Sequence, residues 1–203
     1  SARDGWKKLA PAEHPLGGRA VAIIVHERNI VESLTMEQLQ KVFSGQAAEW
    51  KMFGGDAKPI RRYGLGFTDP LTLLFNEKVL PAARCGPMTR KTISAEVLTA
   101  VAGDPQAIAL VDAVEALAAG GTVKIVAIGD GTNAVLPNAQ TLRDGSYPVS
   151  QALMLYVSPK ASGAAGDFVQ FILAGKGDAT IRKHGFMPML RSVRADAMAA
   201  FEK

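Results

Sequence analysis

The sequence has little cysteine and little histidine. Cys85 is the single cysteine among 203 residues, which excludes an internal disulfide and a cysteine-based metal cluster. The three histidines, His14, His26 and His184, do not show the i, i+4 spacing of a helical zinc site. No apolar run approaches the roughly 20 residues that a membrane helix needs. These shortages predict a protein without a bound metal, without a cofactor and without a membrane span.

The sequence also lacks a strong charge of one sign. Its 23 lysines and arginines and its 19 aspartates and glutamates leave a formal charge of +4, and the two signs are mixed along the chain. No basic run is interleaved with aromatic residues, which make up 6% of the chain, so we do not expect nucleic-acid binding. The mild positive charge would favour a small anionic ligand, although an ordinary solvated surface explains it as well.

The N-terminus lacks the pattern of a signal peptide. Its charged residues, Arg3, Asp4, Lys7 and Lys8, are not followed by an apolar stretch. We expect either that a leader has been removed or that the sequence starts inside a longer protein. Hydrophobic residues make up 48% of the chain and charged residues 21%, which is typical of a globular chain with one large domain or two small lobes.

Several helices are signalled by their end residues. Thr35 and Gln38 form a capping box for a helix that is predicted to end at Gly45. Asp69 and Pro70 are the N-cap and first-turn residues of a second helix. Further helices are predicted from a Ser94 cap to Gly103, over 112–119, 164–173 and 177–184, and from Arg191 onwards.

Strands alternate with these helices. Residues 20–26 form a β-branched apolar run that is typical of a strand buried on both faces. Other strands are predicted over 58–64, 107–111, 123–128 and 147–157, and a turn-rich loop over 129–146. This order predicts an α/β protein with a mainly parallel sheet and flanking helices. The two strands at 20–26 and 147–157 lie on either side of the middle segment of the chain. This arrangement fits a two-lobe molecule in which the chain passes from one lobe to the other and then returns.

The order of these pieces resembles the phosphate-specific solute-binding proteins of ABC transporters, from about residue 21 to residue 188. The resemblance rests on short segments that follow one another as in that family. They are Leu34-Thr-Met-Glu-Gln-Leu39, Val42-Phe43-Ser44-Gly45, Trp50, Pro59-Ile60, Phe75, the stretch 105–111, Tyr147-Pro148-Val149-Ser150, and the stretch 166–186 with Pro188.

The resemblance implies a type II periplasmic-binding fold, with one complete lobe plus part of a second. It also implies a ligand cleft between the lobes, hinge closure and a periplasmic or otherwise extracytoplasmic location. Because only about twenty residues precede the crossover strand, we expect the family's opening segment of the first lobe to be missing from this sequence, which would then be a fragment, a shortened relative or one module of a larger protein. The implied division is an N-terminal extension (1–19), a crossover strand (20–28), a main α/β lobe (29–146), the return strand and helices of the partial first lobe (147–190), and a C-terminal tail (191–203).

The family's anion-binding turn implies a candidate site. In the family, an arginine in the strand-end loop and a Ser-Gly-Thr at the next helix start hold the oxyanion through guanidinium, hydroxyl and backbone N–H groups. Here Leu65 stands at the arginine position, and Asp69, Pro70 and Leu71 stand at the Ser-Gly-Thr positions. The candidate ligand-binding residues around this turn are Arg62, Gly64, Gly66, Thr68, Asp69 and Thr72.

Asp69 and Pro70 argue against phosphate at this turn. Pro70 has no N–H to donate, and the carboxylate of Asp69 would itself occupy the helix start. A second negative charge roughly 4 Å away would be repelled by about 1 kcal/mol or more.

An enzymatic site is not expected. Cys85 has no nucleophile motif around it, and no Ser-His-Asp set has motif support. Asp112 and Glu115 are predicted to lie on an exposed helix face.

Two functions therefore remain open. The first is a solute-binding-protein-like domain related to phosphate-binding ABC transporter components. It would bind phosphate or a similar small anion for uptake or sensing, with a transporter permease or a fused domain as its partner. The alternative is a non-transport binding or assembly module of the same fold that has lost phosphate binding.

Overall fold

The computed structural model of the chain describes residues 11–158, 163–190 and 198. Among these residues, eight strands form one mixed sheet system. They are β1 (Ala12–His26), β2 (Ser33–Leu34), β3 (Arg61–Leu65), β4 (Thr89–Lys91), β5 (Ala107–Asp112), β6 (Val123–Ile128), β7 (Ser150–Val157) and β8 (Met187–Pro188). The predicted tail helix from Arg191 lies outside the described residues, except for Met198, which is helical.

Seven α-helices flank the strands in the described part of the chain. They are α1 (Met36–Ser44), α2 (Pro70–Val79), α3 (Ser94–Ala102), α4 (Ala113–Ala119), α5 (Ala139–Arg143), α6 (Ala164–Leu173) and α7 (Asp178–Lys183). Short 3₁₀ turns cover Trp50–Phe53 and Gly131–Asn133. Within the described ranges, no helix has the length and apolar composition to cross a membrane.

Strand β1 connects two parts of the molecule. Its first half pairs with β7 and β8, whereas residues 21–26 lie between β5 and β6 at the centre of the large sheet. The predicted start at residue 20 is wrong, because the strand begins at Ala12. Packing requires glycine at position 17, since a Cβ atom there would lie 2.1 Å from the backbone oxygen of Met187. The glycines and a register shift between Pro15 and Gly17 hide the strand pattern in the sequence.

The large sheet has the order β2-β6-β1-β5-β3-β4. The α/β class is confirmed, but the sheet is mixed rather than mainly parallel. The pairs β2–β6, β3–β5 and β3–β4 are parallel, and β1 is antiparallel to each of its four partners. A strand that is buried on both faces has the same apolar run in either direction, so the sequence pattern does not report its orientation.

The helix-end predictions are mostly confirmed. The capping box of Thr35 and Gln38 is present, Gly45 ends α1 at φ 87°, and Asp69 caps α2 with Pro70 as its first residue. The Ser94 cap is wrong, because Ser94 is the first residue of α3 and Ile93 precedes it without a side-chain cap. Four short elements, β2, β4, β8 and α5, were not predicted, and α5 interrupts the expected loop over 129–146.

The core is divided unequally. Most buried side chains form one cluster around the large sheet, where the rings of Phe43 and Phe75 meet edge-on at 4.7 Å. Tyr147 belongs to this cluster and donates from its hydroxyl to the Val21 backbone oxygen at 2.8 Å. A second cluster beside β7 has a much smaller set of buried side chains, Val157, Val169 and Leu173.

Candidate functional site

A cleft of about 370 Å³ lies at the carboxyl ends of β3, β4 and β5. These three strands run parallel, and each is followed by a helix, so the starts of α2, α3 and α4 meet at one edge of the sheet. Such an edge is where open α/β sheets generally bind ligands. The opposite wall of the cleft comes from Arg19 on β1 and from the end of α7.

The start of α2 is occupied by a carboxylate of the chain itself. Asp69 Oδ1 accepts a hydrogen bond from the Leu71 backbone N–H at 2.8 Å. Pro70 contributes no N–H at the first helical position. An external anion would therefore find this helix start already neutralised.

The start of α4 is occupied in the same way. Asp112 is only 5% exposed, and its Oδ1 accepts from the Val114 backbone N–H at 2.8 Å. Burial raises the pKa of Asp112, and hydrogen bonds from the helix start and the charge of Arg19 offset part of that rise. Burial, together with Asp112, also raises the pKa of Glu115. The prediction of an exposed helix face is wrong for Asp112, which ends a buried strand, and confirmed for Glu115, which is exposed on α4. Both acids line the cleft.

The start of α3 differs from the other two. Ile93 precedes the helix and provides no capping side chain, while the Glu96 carboxylate accepts from the Thr92 N–H at 3.0 Å, one residue before Ile93. Ser94 is 6% exposed and lines the cleft. A nine-residue helix with an uncapped start presents backbone N–H groups and a positive dipole end to the cleft.

Arg19 is held in place on the opposite wall. Its Nη2 donates to the His184 backbone oxygen at 2.7 Å, and its guanidinium carbon lies 4.5 Å from the centre of the Phe186 ring. Its buried Nε has no hydrogen-bond partner among the described residues. The guanidinium is therefore oriented by the protein, with its Nε enclosed by surrounding atoms.

Gly185 lies between the two walls. A Cβ atom at this position would stand 2.8 Å from Asp112 Oδ2 and 3.3 Å from Arg19 Nη2. The residue also has φ +75°, a conformation that L side chains rarely adopt. Glycine is thus required here, because the buried carboxylate and the guanidinium both pack closely against this position.

The structure places the predicted site residues in different surroundings, and of the six only Asp69 lines the cleft. Arg62 donates from Nε to the Val42 oxygen and from Nη2 to the Ala47 oxygen, at the end of α1. Burial lowers the pKa of Arg62. Its guanidinium thus makes structural contacts around the end of α1.

The other predicted residues lie within β3 or near the start of α2. Gly64 is buried in β3, where an added Cβ would meet Met88 and Leu110. Gly66 and Thr68 lie in the turn before α2, and Thr72 is buried in the helix with 1% exposure. Arg62 and Gly64 miss the cleft because strand side chains point to the sheet faces, whereas the cleft lies beyond the strand ends.

The sequence reasoning missed most of the residues that form the cleft. Asp112 carried a usable signal, because an acidic residue between a buried strand and a helix is a natural helix cap at the binding edge. No sequence signal marks the other cleft residues Arg19, Ser94 and Gly185, since they come from distant parts of the chain. The described residues contain no grouping of three or more histidine, cysteine, aspartate or glutamate side chains that could hold a metal ion.

Comparison with known families and proteins gives a consistent result. A family model described as the PBP superfamily domain matches residues 1–176. The phosphate-binding protein PstS of Pseudomonas aeruginosa is 28% identical over 93% of the chain, and the protein SphX of Synechococcus elongatus is 27% identical over 90%. The match covers 63% and 57% of these relatives, so the chain spans less than two thirds of their length.

Solved structures share the fold. A possible phosphate binding protein from Planctomyces limnophilus superposes with a TM-score of 0.79 at 18% identity, over 98% of this chain and 75% of that one. PstS from Borrelia burgdorferi superposes with a TM-score of 0.76 at 15% identity, over 91% of this chain and 74% of that one.

Proposed function

Because the chain belongs to the family described as the PBP superfamily domain, we propose that it is a non-catalytic solute-binding domain. Its cleft would bind a small anion, such as phosphate. The predicted resemblance to phosphate-binding solute-binding proteins is confirmed by the family match and by the similarity to PstS. The predicted α/β fold of this type is confirmed by the solved structures.

The observation that supports anion binding is the pairing of an uncapped helix start with an oriented guanidinium in one cleft. The start of α3 offers backbone N–H groups beside the Ser94 side chain. Arg19 lines the same cleft, and the His184 oxygen and the Phe186 ring hold its guanidinium in place. Helix starts and arginine side chains are the two groups that proteins commonly use to hold oxyanions.

The relatives support a proposal for the cellular setting. One solved structure of the same fold is of a putative phosphate ABC transporter substrate-binding protein with bound phosphate, from Clostridium perfringens. By analogy, we place this domain outside the cytoplasm, with a transporter permease or a fused domain as its partner, in uptake or in sensing.

A second function is favoured by a different observation. Two of the three helix starts at the cleft are already occupied by Asp69 and Asp112. A domain with this arrangement could have kept the fold as a binding or assembly module and lost phosphate binding.

Isothermal titration with phosphate, sulfate and acetate distinguishes the two functions. We expect saturable binding of at least one of these anions, and an Arg19→Ala variant should lose most of it because the oriented guanidinium is gone. A ligand at about 100 times its dissociation constant should also stabilise the protein by about 2.7 kcal/mol, which a thermal shift detects.

The matched control is Arg28→Ala. Arg28 is 82% exposed and lines a different depression of the surface, so its loss changes the net charge equally without touching the cleft. No heat and no thermal shift with any of the three anions would favour the module that has lost its ligand. Equal losses in the two arginine variants would show that net charge, and not the cleft, attracts the anion.

A further inference from the structure

Strand β7 has one unpaired edge in the described part of the chain. It pairs with β1, and β8 pairs with β1 at Gly17 and Gly18, two residues that also pair with β7, so β8 lies on the other side of β1. Among the described strands, β1 is the only partner of β7. The backbone N–H and C=O groups on the far side of β7 therefore have no strand partner within the described ranges.

The other end strands are protected against pairing, and β7 is not. β2 and β8 have two residues each, with Pro188 in β8, and β4 has three residues that include Arg90 and Lys91. Short length, proline and charged side chains are common means by which proteins prevent a sheet edge from pairing with another chain. β7 has none of them, since its eight residues, Ser-Gln-Ala-Leu-Met-Leu-Tyr-Val, include no proline and no charge.

We propose that the free edge of β7 is an interaction surface for a second copy of this chain, with the two β7 strands paired antiparallel about a two-fold axis. The sheet then continues from one copy into the other. This inference goes beyond solute binding and does not depend on a ligand, because no residue of β7 lines the cleft.

The sequence of β7 is complementary to itself. Antiparallel pairing centred on Met154 places Leu153 opposite Leu155 of the second copy, and Ala152 opposite Tyr156 of the second copy. Directly opposite residues share one face of a sheet, so apolar or aromatic side chains meet on both faces. Because β7 carries no charge, no like charges oppose one another in the pair.

Helix α6 leaves room for such a pair. It packs over β7 and β1, because Val169 and Leu173 belong to a cluster with Val157 that also contacts Leu16. One helix of about 10 Å diameter covers two strands that lie about 4.8 Å apart. Two copies of α6 therefore fit side by side on one face of the continuous sheet.

Exposed aromatic side chains lie on the same two elements. Tyr156 on β7 is 50% exposed, and on α6 Phe168 is 55% and Phe171 46% exposed. The two phenylalanines are three residues apart and so lie on one side of the helix. Aromatic side chains are enriched at protein interfaces, and the pairing brings β7 and α6 next to a second copy.

Sedimentation velocity over a range of protein concentrations tests the inference. We expect a dimer that dissociates on dilution. Ala152→Lys combined with Tyr156→Lys changes two exposed residues and places lysines opposite each other in the paired copies, so this variant should be monomeric. The matched control is Leu117→Lys combined with Ala118→Lys, which adds the same charge at exposed residues of α4 and should leave the dimer intact.

A second double variant separates loss of pairing from loss of folding. Ala152→Glu combined with Tyr156→Glu should also be monomeric by itself. An equimolar mixture of the lysine and glutamate variants should form the dimer again, because opposite charges now face each other. Mixing does not restore a variant that has failed to fold.

Several results would overturn the inference. They are an unmodified protein that stays monomeric at every concentration, a dimer that the lysine variant retains, and monomeric variants that do not associate when mixed. Hydrogen exchange identifies a different cover for the edge, since protected edge amides of β7 in a monomer would mean that residues of the same chain outside the described ranges occupy it. Anion binding in the cleft is measured separately, so the proposed function stands or falls by its own titration.

Discussion

At the residue scale, Gly185 allows Asp112 and Arg19 to pack closely against the chain at the edge of the cleft. We expect Gly185→Ala to lower the free energy of unfolding by about 1–2 kcal/mol, because alanine is strained in a left-handed conformation. The new methyl group would also lie 2.8 Å from Asp112 Oδ2, so the variant should bind anions more weakly than the unmodified protein. Urea unfolding and the titration with phosphate, sulfate and acetate measure the two effects.

Gly121→Ala is the matched control for that substitution. Gly121 has φ +72°, close to the value at Gly185, but a Cβ atom there would meet nothing within 4 Å. It should show the backbone strain without any change in anion binding. Equal binding by the two alanine variants would contradict the role assigned to the close packing of Asp112 and Arg19 against Gly185.

At the element scale, α2 depends on its first residues. Asp69→Ala removes the hydrogen bond to the Leu71 N–H and should lower the free energy of unfolding by about 1 kcal/mol. Asp69→Asn should retain most of that free energy, because asparagine caps helices as well as aspartate does. Urea unfolding compares the two variants, and an equal loss in both would mean that the charge, and not the cap, stabilises the helix start.

The same scale shows what local signals predict. Thr35, Gln38 and Gly45 delimit α1 correctly because capping contacts join residues that are close in the sequence. The cap predicted at Ser94 is wrong for a related reason. The sequence does not distinguish a serine that precedes the first helical residue from a serine that is the first helical residue. The short strands β2, β4 and β8 have two or three residues each and depend on partners from elsewhere in the chain.

At the scale of the whole molecule, the unequal core predicts unequal stability. The large sheet buries residues 21–25 completely, whereas the cluster beside β7 relies on Val157, Val169 and Leu173. We expect backbone amides of α6 and β7 to exchange with solvent through openings of lower free energy than amides of residues 21–25. Native-state hydrogen exchange measures this difference, and equal protection of the two regions would show a single cooperative unit.

The whole molecule also assembles the candidate site. Arg19, Ser94, Asp112 and Gly185 are far apart in the sequence, and the pairing of β1 with β5 and the position of α7 bring them to one cleft. Of the residues predicted from the anion-binding turn, Asp69 reaches that cleft, and its role as a ligand contact stays a prediction.

The sequence by itself determined the α/β class, most of the longer helices and strands, and the resemblance to phosphate-specific solute-binding proteins. These depend on periodicity, on caps and on the order of segments, which are local or sequential properties. The tertiary structure alone decided the direction of β1, the position of the cleft and the residues that line it. Strand pairing and burial join residues that are distant along the chain, and no local pattern records which of them will meet.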